Sequence, residues 1–254
     1  MVLTVDIGNS NIMLGGFAGD HLAFKGRLST DTRATEDEYA SKILGLLSLY
    51  GIESTEIEGA IIASVVPSLN TVIKKAIRFL FDIEPLSVGP GIKTGIGIRC
   101  ETPSSVGADL ISAAVAAHTL FGSPSLIVDV GTATKMTVVD ESGAFIGTSI
   151  APGIQMGLNA LAEGTAQLPH VSLEAPASVV AKNTVDCMKS GVLFGHSAMI
   201  DGMIDRIREE LSVDVPVYIT GGLAEAVIPH CQREMTFDGD LVLKGLYIIY
   251  KKNS

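Results

Sequence analysis

The 254-residue chain contains no tryptophan, and aromatic residues make up only 5% of it. Surfaces that bind single-stranded nucleic acid stack bases on aromatic rings, so this composition argues against one. Basic residues are also in the minority, with 18 Lys and Arg against 28 Asp and Glu and a formal charge of −10. Nucleic acid or an anionic membrane calls for a basic face, which this balance does not favour. Cys100, Cys187 and Cys231 are odd in number and widely spaced, with no CxxC pair. That argues against a disulfide framework and a zinc site, and favours a reducing interior. His21, His118, His170, His196 and His230 show no HxxxH spacing either. No apolar run approaches the roughly 18 residues of a membrane span. The N-terminus enters a strand pattern at once, without the basic and apolar regions of a secretory signal. The expectation is a soluble, cytoplasmic protein.

What the chain does have is valine, isoleucine, alanine and glycine. Apolar residues reach 47%, with 27 glycines and a mean hydropathy of +0.40, the profile of an α/β protein with a well-buried core. The length allows one large domain or two modest ones of about 100–150 residues.

Leu3 to Gly16 reads as a strand, a tight polar turn and a second strand. Val2, Leu3 and Val5 lead to Asp6, and Gly8, Asn9, Ser10 and Asn11 supply turn chemistry. Such a turn presents backbone N–H groups and small polar side chains to an anion. Asp6, at the strand end, is positioned to hold a divalent metal beside it. On these residues alone, an ordinary surface hairpin carrying an aspartate is the competing interpretation.

His21–Ser29 continues as the third strand of a meander. Thr35 with Glu38 is a capping box that opens a helix to about Tyr50, and Gly51 stops it. Gly59–Val66 is a continuous apolar run, the pattern of a central buried strand. Pro67 opens a helix to about Phe81, Leu86–Val88 is a short strand, and the glycine-rich loop Gly89–Gly97 precedes an alanine-rich helix over Val106–Leu120. The pattern then begins again. Ser125–Val130 is a buried strand bearing Asp129 at its end, and Gly131–Thr134 turns the chain. Met136–Asp140 and Ala144–Ile150 continue as strands. Helices are expected over Gly153–Ala162, Thr184–Leu211, Leu223–Ile228 and about Asp240–Tyr250, with a strand over Val215–Thr220 before the Gly221-Gly222 turn.

Val5-Asp6-Ile7-Gly8-Asn9 and Val128-Asp129-Val130-Gly131-Thr132 are therefore the same device, each opening a meander followed by helices. A repeat over half the chain implies two similar α/β lobes, divided near residues 118–124 and taken as 1–120 and 121–254. Two facing Asp-Gly-polar turns make a cleft that holds a phosphate chain from both sides. Repetition in matching strand context favours nucleotide phosphate.

Several further pieces accompany these two turns in fixed order. They are Ser29-Thr30-Asp31 with Asp37-Glu38-Tyr39, Ser64-Val65-Val66-Pro67, Lys93-Thr94-Gly95, Pro103 and Val106-Gly107-Ala108-Asp109. Pro152-Gly153, Asn183-Thr184, Ser190-Gly191, Thr220-Gly221-Gly222-Leu223 and Asp240 to Leu246 follow. With Asp6 to Asn11 and Asp129 to Thr134, the chain resembles the type III pantothenate kinases. That resemblance implies two duplicated ribonuclease-H-like lobes of the actin-like ATPase kind, with a nucleotide cleft between them. It also implies ATP-dependent phosphorylation of pantothenate to 4'-phosphopantothenate, the first step of coenzyme A biosynthesis.

By position, the resemblance makes Asp6 to Met13 the first phosphate loop, with Asp6, Gly8, Asn9, Ser10 and Asn11 as contacts and Mg²⁺ near Asp6, held through water. Gly131, Thr132 and Thr134 form the second phosphate loop, and Gly221 and Gly222 border the adenosine. Gly107, Ala108 and Asp109 form the acceptor loop, with Leu110 beside them and Asp109 the base on the primary hydroxyl. Asp129 would bind a monovalent cation, K⁺ or NH₄⁺, and Thr184 would contact pantothenate across the interface of a homodimer. The chemistry agrees in kind. Phosphoryl transfer needs positioning and charge neutralisation, and a helix N-terminus favours a carboxylate that receives an alcohol proton. Without the resemblance, Asp109 and Thr184 read as helix caps.

Departures from the family pattern cluster on the acceptor side. Leu110 stands where the family carries Arg, Cys100 where it carries Tyr, and Thr137 where it carries Asp. Leucine cannot form the bidentate bond that an arginine makes to a carboxylate, and Lys135 is the candidate for a replacement charge. Two alternatives follow. One is a non-catalytic or regulatory subunit paired with a homologue that keeps the full motif; the other is a kinase for another small hydroxylated acceptor. Met188, Val192, Leu193, Met199, Ile200, Met203, Ile204 and Ile207 give the Thr184–Leu211 helix more apolar surface than one face needs. Either a dimer interface or a core-spanning helix would use it.

Overall fold

The computed structural model describes residues 1–254 as two compact units. The first is Met1–Phe121 with Asp240–Ser254, and the second is Gly122–Gly239. A division at 120/121 would leave the closing helix in the second unit. It packs instead in the first, because its apolar face completes the core there.

In the first unit, strands β1 (Val2–Ile7), β2 (Asn11–Ala18) and β3 (His21–Ser29) form an antiparallel meander. Strand β4 (Gly59–Ser64) lies parallel to β1 on its other side, and β5 (Leu86–Ser87) lies parallel to β4. Both faces of β4 are covered, which is why its sequence runs apolar without alternation. Ala60 and Ile62 pack with α1 (Glu36–Leu49) and α2 (Pro67–Phe81), through Ile43, Leu47, Leu69 and Ile73. Ile61 and Ala63 face α3 (Ala108–Phe121) and α7 (Leu241–Lys251). The Thr35 capping box forms as the spacing requires: Glu38 N–H donates to Thr35 Oγ1 at 3.3 Å, and Thr35 N–H donates to Glu38 Oε2 at 2.7 Å.

The second unit repeats this design. β6 (Ser125–Val130), β7 (Ala133–Val139) and β8 (Phe145–Pro152) are an antiparallel meander. β9 (Val217–Thr220) is parallel to β6, and β10 (Thr236–Phe237) is parallel to β9. The strand orders, β3-β2-β1-β4-β5 and β8-β7-β6-β9-β10, are equivalent. Even the irregularities match, since register shifts fall at Gly16/Phe17 in β2 and at Val138/Val139 in β7. The sequence repeat is therefore a repeat of topology. β10, only two residues long, has no sequence signature of its own.

One face of the second sheet is covered by α4 (Ile154–Glu163), α5 (Thr184–Leu211) and α6 (Ala224–Val227). Leu193, Ile200 and Ile204 of α5 are buried in that core, and Val192, Met199, Met203 and Ile207 pack against it. The core takes most of the apolar surplus read from this helix. No helix is long and apolar enough to cross a membrane, and the three cysteines are free thiols.

Candidate active site

The first turn is built where β1 hands over to β2. Ile7 and Ile12 form the last pair of that hairpin, and Gly8 N–H closes the loop on the Asn11 carbonyl at 3.0 Å. Thr30, just beyond β3, pins the loop from the side. Its N–H donates to Ser10 O at 3.1 Å, and its hydroxyl donates to Gly8 O at 2.7 Å. Asn9, Ser10 and Asn11 are left exposed. Asp6 lies one residue before the strand end, paired with Met13 on one side and Ala63 of β4 on the other. That is the carboxyl end of two parallel strands, where open α/β sheets gather ligands.

The same end of the sheet receives the start of α3. Ala63, beside Asp6, packs in one cluster with Ala108 and Ile111. Ile111 N–H donates to Gly107 O at 3.1 Å, which sets the first helical turn. Asp109 follows in that turn and is 9% exposed. Its Oδ1 lies 2.5 Å from where a Cβ on residue 107 would sit, so only glycine leaves the carboxylate its position. Leu110 is 7% exposed, and Cys100 is half-buried.

In the second unit, Val130 and Thr134 close the β6–β7 hairpin, and Gly131 N–H donates to Ala133 O at 3.1 Å. Thr132 is exposed at the tip. Ala133 pairs with Pro152, which brings Gly153, the N-cap of α4, to the turn. Asp129 pairs with Thr220 of β9, so the Gly221-Gly222 turn emerges alongside it. Leu223 N–H donates to Val130 O at 3.1 Å. Gly221 adopts φ +101°, and a Cβ there would lie 2.5 Å from Val130 O and 2.6 Å from Asp129 Oδ1. Asp129, the Gly131-Thr132 turn and the Gly221-Gly222 turn are thus one assembly. Across the hairpin, Asp129 is directly opposite Lys135. The Lys135 ammonium lies 2.7 Å from Asp129 Oδ2, with both side chains under one-fifth exposed.

The family described as type III pantothenate kinase matches residues 2–206. A type III pantothenate kinase of Moorella thermoacetica is 41% identical over 254 residues, covering 100% of both chains. The chain belongs to the type III pantothenate kinases. Among solved structures, a Campylobacter jejuni protein described as a candidate Baf family transcriptional activator superimposes with a TM-score of 0.63. It is 18% identical, with 99% of this chain and 98% of that one covered. An inorganic polyphosphate/ATP-glucomannokinase from Arthrobacter sp. strain KM gives a TM-score of 0.51 at 14% identity, with 98% of each chain covered. At these identities the likeness is one of fold.

Three further residues of the site are placed by the fold. Thr134, expected to contact phosphate, is 1% exposed. Strand alternation turns it to the face of Met136 and Val138, and its hydroxyl meets His196 Nε2 on α5 at 2.8 Å. It therefore braces the turn from beneath. Burial holds the His196 imidazole below its ordinary pKa. Thr137 is buried with its hydroxyl 3.3 Å from that of Thr148, the kind of Thr–Thr pair that facing strands tolerate well. Thr184 is the first residue of α5 and is exposed; the cap is Asn183, whose side chain accepts from Asp186 N–H at 2.9 Å.

Sequence reasoning missed Thr30 as a clamp, His196 as a brace and the Lys135–Asp129 pair. The pair escaped because a turn over Gly131–Thr134 sets residue 129 opposite 136, whereas Val130 pairs with Thr134 and so brings Lys135 opposite Asp129.

Proposed function

We propose that this chain transfers the γ-phosphoryl group of ATP to the primary hydroxyl of pantothenate, giving 4'-phosphopantothenate for coenzyme A synthesis. The observation that carries the reading is the duplicated strand–turn–strand device. Asp6 and Asp129 occupy equivalent positions in two units of one topology, within a chain matched end to end by a family member.

Each part has a role. The exposed Gly8–Asn11 and Gly131-Thr132 turns supply donors for ATP phosphates, and Gly221-Gly222 borders the adenosine. Gly107 and Ala108 shape the acceptor loop. Asp109 takes the hydroxyl proton as the oxygen bonds to phosphorus and the bond to the β,γ-bridging oxygen of ATP breaks, releasing ADP. No cluster of three acidic, His or Cys side chains is present to cage a metal. That suits Mg²⁺, which takes one or two carboxylates and completes its shell with water and substrate phosphates. Asp6 is the residue to hold it, and bound there it would neutralise phosphate charge. The K⁺ or NH₄⁺ implied at Asp129 meets a lysine already on that carboxylate.

A homodimer is part of the reading. Ile150, Val179 and Val180 are 67%, 67% and 82% exposed, with Met156 and Val185 also uncovered, apolar side chains that a second copy would cover. A second copy covering them would carry Thr184 to its partner's pantothenate. We place the reaction in the cytoplasm. A second reading, a nucleotide-binding subunit beside a homologue that keeps the acceptor arginine, draws on Leu110 being apolar and buried. Coupled ADP release with pantothenate, ATP and Mg²⁺ distinguishes the two. Turnover at least about 100-fold above an Asp109→Ala control is expected for a lost general base. Background turnover with intact ATP binding would favour the subunit reading.

A further inference from the structure

We infer that Lys135 is a tethered cation of the second phosphate turn, neutralising Asp129 in place of a dissociable monovalent ion. The facing positions of β6 and β7 put the two side chains on one side of the sheet, and the ammonium sits 2.7 Å from Asp129 Oδ2. The other carboxylate oxygen lies under Gly221, where not even a methyl group would fit. A carboxylate flanked in this way has one oxygen on a fixed positive charge and the other against backbone. A dissociable K⁺ or NH₄⁺ would there face a unit positive charge already 2.7 Å from the carboxylate. An ammonium carries the same unit charge, and its four-carbon stem holds it at the site at any salt composition. Three residues before it, Thr132 is exposed at the turn proposed to meet ATP phosphate, so the same charge adds to the positive potential there. Lys135 is thereby a positioning residue for nucleotide, and this part of the inference rests on the ATP reading.

The test compares KCl with tetramethylammonium chloride at an equal ionic strength of about 0.1 M. Mg–ADP binding is read by calorimetry and stability by thermal melting. The wild-type chain is expected to show the same melting temperature in both salts, and ADP affinity within about twofold. Lys135→Thr, which empties the position, is expected to lose about tenfold in ADP affinity in tetramethylammonium and to regain most of it in KCl. Its melting temperature should rise with KCl alone. Lys135→Arg, which keeps the charge, should remain indifferent to the salt. A wild-type chain that KCl stabilises, or that needs K⁺ to bind ADP, would overturn the inference, as would a Lys135→Thr variant that KCl does not affect. Should no form bind ADP, the nucleotide reading fails. The melting comparison still decides whether Lys135 has displaced the ion.

Discussion

Gly245 of α7 lies directly on the backbone of Ser112 in α3: a Cβ at residue 245 would stand 1.8 Å from the Ser112 carbonyl oxygen and 2.5 Å from its carbon. The two helices meet there without an intervening side chain, and Ser112 turns its hydroxyl back to Ala108 O at 2.7 Å. This contact ties the end of the chain to the helix that starts at Asp109. Gly245→Ala cannot be absorbed by a rotamer change, because both clashing partners are backbone. Overpacking of this kind costs about 1–3 kcal/mol, or roughly 2–4 °C in melting temperature per kcal/mol for a chain of this size. Calorimetry should show that loss, and hydrogen exchange should show faster exchange at the start of α3.

Gly221→Ala tests the assembly at Asp129. The backbone there is left-handed, which alone costs an L-residue about 1–2 kcal/mol. The added methyl would also press on Val130 O and Asp129 Oδ1. We expect lower stability together with ADP affinity weakened by about tenfold or more. Gly222→Ala is the control, since a Cβ at residue 222 meets nothing within 4 Å. It should melt close to the parent.

The two lobes were legible because their cause is local. An apolar strand, an Asp-Gly turn and a second strand are written twice, and the folded topology repeats with them, down to the bulges after Gly16 and Val138. Capping residues fixed helix starts just as locally at Thr35 and Pro67. What escaped was long-range. No pattern within Asp240–Tyr250 says that it packs on α3, far back in the chain. Likewise, only strand parity shows that Thr134 faces inward and Lys135 the other way. The acceptor residues were readable as identities, but what surrounds Leu110 depends on packing that no spacing encodes.

His196 gives a pH dependence whose sign is fixed. Burial lowers its folded-state pKa, while the unfolded chain titrates at about 6.5. Between those two values the unfolded state binds the extra proton, so stability rises with pH across that window. The contribution is complete above about pH 6.5 and is lost as pH falls through the folded value, at up to about 1.4 kcal/mol per pH unit. Urea unfolding midpoints at about pH 7.5 and 5.5 should differ more for the parent than for His196→Gln, which keeps a partner for Thr134 but does not titrate. Equal slopes would mean that His196 titrates alike in the folded and unfolded chain.

Leu110→Arg asks what the acceptor side has given up. Leu110 is buried in the first turn of α3, immediately after Asp109. An arginine placed there without an anion would bury an unpaired charge, so the free variant should melt below the parent. Pantothenate carries the carboxylate that would pair with it. The variant should therefore be stabilised by pantothenate much more than the parent is, and its KM for pantothenate should fall by about tenfold or more. Since this contact holds substrate and transition state alike, kcat should change little. A folded variant with unchanged KM would mean that the carboxylate of the acceptor lies away from residue 110. The family pattern at that position would then say nothing about how this chain grips its substrate.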